Sequence, residues 1–144
     1  MSSGTESGAG AAIVNGVDHI GIAVRSLEER IPFYRDVLAL GEPEIEEVPD
    51  QNVRVAMFHT GTSRLELLEP TSPESPIAKF IEKNGEGIHH LALGTSGING
   101  SIDAVENAGL RMIDSQPRQG AGGAQIAFVH PKSSGGVLLE FCQR

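Results

Sequence analysis

The sequence predicts an α+β fold: two βαβββ modules whose eight strands form an open barrel or cup, with helices outside. Three observations predict it. The chain repeats itself at a nearly constant offset, each repeat reads as strand–helix–three strands, and histidines and glutamates recur at matching points of the two copies. Val17-Asp18-His19-Ile20-Gly21-Ile22-Ala23-Val24 resembles Ile88-His89-His90-Leu91-Ala92-Leu93-Gly94-Thr95, with an offset of 90 − 19 = 71. His59, after Val53-Arg54-Val55-Ala56-Met57-Phe58, and His130, after Gln125-Ile126-Ala127-Phe128-Val129, keep it (130 − 59 = 71). Arg64-Leu65-Glu66-Leu67-Leu68 then matches Leu138-Leu139-Glu140-Phe141-Cys142 at 140 − 66 = 74, the extra residues fitting a longer hairpin turn at 131–136.

The elements follow in order. Residues 13–24 alternate as a strand. Ser26 can N-cap a helix whose first turn holds Glu28 and Glu29, where the helix dipole favours acids. Pro32 is expected to kink or restart that helix, and Gly41 to end it. Strands are expected near residues 45–48, 53–59 and 64–68, then a short linking helix over 75–84 with Pro76 in its first turn. The second module repeats the pattern, with a helix from Ser101 to Ala108 stopped by Gly109. Residues 13–144 therefore read as one domain made of two repeats, about 15–70 and 86–144. Residues 1–12, rich in Gly, Ser and Ala, read as a disordered tail.

Composition narrows the function. The net charge is −8, with a pI of about 5.0, which argues against a nucleic-acid partner. An anionic substrate would need local basic groups or a metal. Cys142 is the one cysteine, so no intramolecular disulfide forms, which suits a reducing, cytoplasmic setting. No apolar run approaches the roughly 20 residues that span a bilayer, so no membrane is expected as a partner.

Strand parity points to a site. His19 shares a face with the small residues Gly21 and Ala23, opposite Ile20, Ile22 and Val24; His90 likewise shares a face with Ala92 and Gly94. Glu66 and Glu140 each lie opposite the leucines and phenylalanine that flank them. Pseudo-symmetry would gather His19, Glu66, His90 and Glu140 at one centre. Two imidazoles and two carboxylates suit a divalent ion such as Zn, Co, Mn, Ni or Fe(II). A metal also gives a reason for acids on apolar strands, where an uncompensated buried carboxylate is costly. A lone strand histidine is ordinarily a satisfied core or surface residue; it is the repeat that favours ligation here. His89 has the wrong parity and is expected outside the cup. His59 and His130 read first as hairpin residues, Cys142 as packing, and Tyr34 as a packed helix residue. Gln119-Gly120-Ala121-Gly122-Gly123 lacks the strand-to-helix setting of a phosphate loop and reads as a loop over the cup.

With these residues in place, the chain resembles the vicinal oxygen chelate superfamily, and within it the methylmalonyl-CoA epimerases. The more specific likeness lies in Glu66-Leu67-Leu68-Glu69-Pro70, Ser75-Pro76-Ile77-Ala78-Lys79-Phe80, Asn84-Gly85-Glu86-Gly87-Ile88-His89-His90 and His130-Pro131-Lys132. The resemblance implies interconversion of the (R) and (S) forms of methylmalonyl-CoA through an enolate. It implies His19, His90 and Glu140 as metal ligands, with Glu66 at a ligand position that is Gln in some members, and it favours cobalt. It also implies an acyl-CoA partner and a homodimer. Some members carry a proposed catalytic Glu where this chain has Val55. The acid/base candidates are therefore Glu140, Glu66 and Glu47, the last reaching in from the preceding segment. Lys132 and Arg118 are candidates for the coenzyme's phosphates, although solvated surface charge is their ordinary reading. The competing readings are a glyoxalase I-like lyase, an extradiol dioxygenase, which Glu66 disfavours as a fourth ligand, and a metal-free antibiotic-sequestering protein.

Overall fold

The apolar–polar alternation of the first segment resolves into strand β1, Val14–Ala23, in a computed structural model that describes residues 13–144. The expected tail, residues 1–12, lies outside the described residues. The other elements are helix α1 (Leu27–Pro32), strands β2 (Glu44–Val48), β3 (Val53–Thr60) and β4 (Ser63–Pro70), helix α2 (Pro76–Asn84), strand β5 (Gly87–Thr95), helix α3 (Ile98–Asn107), strands β6 (Arg118–Gln119) and β7 (Gln125–Phe128), helix α4 (Pro131–Ser134) and strand β8 (Leu139–Gln143). The order is the expected βαβββ twice, with α2 between the copies and one short helix, α4, added before the last strand. Packing divides the described residues into two units, His19–His89, and His90–Arg144 with those before His19. The division falls inside β1 and β5.

In the His19–His89 unit the strand order is β2-β3-β4-β1, with β1 parallel to β4 and the other pairs antiparallel. One face carries the helix layer. Val24, Leu27 and Ile31 pack there on Ala56, Phe58 and Leu67, with Ile22 and Leu65 at the margin. Burying each large side chain contributes about 1.5–3 kcal/mol. Ser26 caps α1 by accepting from the Glu29 N–H at 3.2 Å. Pro32 ends the regular helix because it has no N–H to donate, and a single wide turn, Phe33–Val37, continues the path. Helix α2 starts as expected, with Ser75 accepting from Ile77 N–H at 3.1 Å and Pro76 in the first turn. It buries Ile77 and Ile81 within this unit.

In the other unit the order is β5-β8-β7-β6, with β5 parallel to β8. Ile98 and Ile102 of α3 pack on Ala127, Val129 and Phe141. Helix α3 begins at Ile98, a turn before the expected Ser101. Its first N–H is taken by the Gln143 side chain at 2.8 Å, and Ser101 sits inside the helix, buried against Thr95 at 2.9 Å. Gly109, with φ +79°, follows its end as expected. The turn at 131–136 is not a plain hairpin: α4 fills it, and Gly135 ends that helix in the left-handed conformation at φ 82°.

Candidate active site

Each unit carries one buried histidine beside one buried glutamate, on the sheet face away from its helices. In the His19–His89 unit, Glu66 lies between Leu65 and Leu67, which join the helix-side core, so its side chain takes the opposite face. The register β1/β4 pairs Gly21 with Glu66 and His19 with Arg64. His19 Nε2 stands 3.5 Å from Glu66 Oε1, and the two residues are 3% and 4% exposed. In the other unit, Phe141 joins the helix-side core and Glu140 takes the other face, level with Ala92 and Phe128. His90 Nε2 stands 3.8 Å from Glu140 Oε1, with exposures of 7% and 3%. The ring of Phe128 meets that of His90 edge to face at 5.4 Å.

The donor set fits a divalent cation. Both separations exceed a hydrogen bond, and two donors each about 2.0–2.2 Å from one ion at an open angle lie roughly 3–4 Å apart. The small residues expected beside the histidines are there and buried, Gly21 and Ala23 in one unit and Ala92 in the other. Neutral imidazole and carboxylate are borderline and hard donors, which suits first-row divalent ions.

The remaining candidates fall elsewhere. Glu47 is exposed and pairs in register with Arg54, on the face of Ala56 and Phe58. It therefore points away from Glu66. The β2 carboxylates on the Glu66 side are Glu44, level with Met57, and Glu46, level with Val55. Val55 itself is buried on that face and carries no proton to give. Arg118 is level with Ile126, lies over the Phe128 ring at 5.7 Å and pairs with Asp114 at 3.2 Å. Lys132 is exposed on α4. His130 is committed to capping that helix, its Nδ1 accepting from Lys132 N–H at 3.0 Å. His89 packs edge to face on Phe80 at 5.0 Å, and burial pushes its imidazole down to about 4, keeping it neutral. Tyr34 packs on Phe58, and Cys142 packs among Ala92, Ile126 and Phe128. Arg64, half-buried, lies on the same face as Glu66 and is level with His19.

Residues 18–128 match the family model of the Glyoxalase/Bleomycin resistance protein/Dioxygenase superfamily. Among curated proteins, the chain is 37% identical over 135 residues to the ethylmalonyl-CoA/methylmalonyl-CoA epimerase of Cereibacter sphaeroides, covering 91% of this chain and 99% of that protein. It is 42% identical over 130 residues to an uncharacterized Bacillus subtilis protein, YqjC, covering 90% and 93%. Among solved structures, a Streptomyces coelicolor methylmalonyl-CoA epimerase in complex with 2-nitronate-propionyl-CoA is 38% identical, with a TM-score of 0.87, over 90% of this chain and 94% of that one. The chain belongs to the methylmalonyl-CoA epimerase family. The epimerase likeness spans both repeats, so the α+β fold expected from the repeat, and the vicinal oxygen chelate architecture implied by the resemblance, are the fold found.

Proposed function

We propose that this chain is a metal-dependent methylmalonyl-CoA epimerase, interconverting the (R) and (S) forms by removing and returning the proton alpha to the thioester. The observation that carries the reading is the buried His–Glu pair in each unit, His19 with Glu66 and His90 with Glu140, in a chain of the epimerase family. In this reading the four residues hold one divalent ion, with cobalt favoured by the family resemblance. The ion would supply positive charge against the enolate oxygen that develops when the proton leaves.

The chain's own residues do the rest. Epimerisation needs proton transfer at both faces of a planar intermediate, hence two groups on opposite sides. Glu66 and Glu140 come from different modules and are assigned those sides. Their burial excludes water that would otherwise quench the carbanion without stereochemical control. Gly21, Ala23 and Ala92 leave room for the acyl group beside the histidines. Lys132 and Arg118 are assigned to the coenzyme's phosphates, Arg118 exchanging Asp114 for phosphate on binding. A homodimer in the cytoplasm belongs to the same reading. No helix among the described residues is long and apolar enough to cross a membrane. A glyoxalase I-like lyase would use the same donor set, but the relatives' names favour the epimerase.

The test is proton NMR of the purified protein with (S)-methylmalonyl-CoA in D2O, with and without chelator and added Co(II). Metal-dependent deuterium uptake with conversion to the (R) form is expected. Absence of exchange with every divalent metal tried would overturn the proposal.

A further inference from the structure

The open face of the His19–His89 unit is laid out in transverse rows. Register places His19, Arg64 and His59 in one row across β1, β4 and β3. The next row is Gly21, Glu66, Met57 and Glu44, and the one after it Ala23, Leu68, Val55 and Glu46. Residues in register on adjacent strands, about 4.8 Å apart, project from the same face. The first row is thus made of basic side chains, and its burial is graded: His19 buried, Arg64 half-buried, His59 exposed. The other two rows end in carboxylates at the outer strand.

We propose that Arg64, with His59 as a second donor nearer solvent, binds an anionic group of the acyl-CoA, its free carboxylate or a coenzyme phosphate. The inference rests on the acyl-CoA reading above. A chain of net charge −8 needs local positive charge to hold a polyanion. A guanidinium offers parallel N–H donors that match a carboxylate or phosphate bidentately, and a half-buried one is screened less than a surface lysine. The other two rows carry carboxylates, Glu44 and Glu46, which disfavour an anion there. Neither cation assigned to phosphate above is placed like Arg64. Arg118 lies in the row of Ile126, Cys142 and Gly94, and Lys132 is exposed on α4. Arg64 alone of the three is level with a histidine proposed as a ligand.

The test is calorimetric binding of methylmalonyl-CoA to the metal-loaded protein, alongside deuterium exchange, for the wild type, Arg64→Met and Arg64→Lys, with metal content measured in each. Loss of a charge-assisted contact should weaken binding about ten- to hundredfold in Arg64→Met, with metal content unchanged and partial recovery in Arg64→Lys. The effect should appear in KM more than in kcat. Repeating the comparison with methylmalonyl-pantetheine separates the sources: a persisting penalty assigns Arg64 to the carboxylate, and a vanishing one to a phosphate. Should Arg64→Met fail to fold, His59→Gln at its exposed position carries the test, with about a threefold loss expected. Equal binding by wild type and Arg64→Met overturns the inference, whether or not the wild type turns over. A wild type that binds without exchange overturns the epimerase reading instead, and one that does not bind overturns both.

Discussion

At the scale of single residues, the two glutamates differ from ordinary strand acids in one respect: each is almost wholly buried next to an imidazole. If they serve opposite faces of the intermediate, removing one should uncouple exchange from conversion. Glu66→Gln is expected to slow (S)-to-(R) conversion by about 10²-fold or more while exchange continues from the epimer whose proton Glu140 takes. Following deuterium at both epimers by NMR checks this, and a variant with full exchange at both would sink the role. The buried pairing of His19 with Glu66 and of His90 with Glu140 was legible because the repeat marks each residue type twice. Glu47 was misplaced for the converse reason. Its strand has only the two-residue β6 as counterpart, so nothing anchored its parity, and a slip of one residue changes the face. Arg64 went unmarked because its counterpart at the same offset is Leu138.

Among the elements, starts set by neighbouring side chains were legible and starts set by distant ones were not. Ser26 and Ser75 cap helices within three residues of themselves. Helix α3 gives its first N–H to Gln143, far along the chain, a tie that local sequence does not display. A second distant tie joins the end of α2 to α1. Glu86 accepts the Arg25 N–H at 2.6 Å and pairs with the Arg30 guanidinium at 2.8 Å. The Arg25 N–H, ahead of Arg30, holds the Glu86 carboxyl below the usual carboxylate range. Because the folded value is the lower one, the stabilisation is present above the unfolded value and is lost as pH falls through the folded one. Glu86→Gln should therefore cost about 1 kcal/mol, or about 3 °C in Tm, at pH 7. The gap between wild type and variant should close as pH drops below about 4. Thermal melts across pH 3–7 test it, and a gap that persists at pH 3 would show that Glu86 contributes through packing instead.

For the molecule as a whole, the repeat carried the strand count and the order of strands, particular segments carried the likeness to the family, and the epimerase structures match over nine-tenths of the chain. What the sequence did not show is where the packing units divide. One unit is the unbroken stretch His19–His89, and the other is drawn from chain on both sides of it. This nesting has a consequence for the order in which the protein assembles. The inner stretch has all its strand partners close at hand, with β3 and β4 joined by the tight turn between Thr60 and Ser63. The outer unit cannot pair β5 with anything on its β8 side until residues 139–143 have left the ribosome, and that strand brings Glu140 with it. Local pairs form first when loop closure sets the rate. Pulse-labelled hydrogen exchange during refolding should therefore protect the amides of β3 and β4 before those of β8, whereas simultaneous protection would mean that the nested halves rise as one cooperative body.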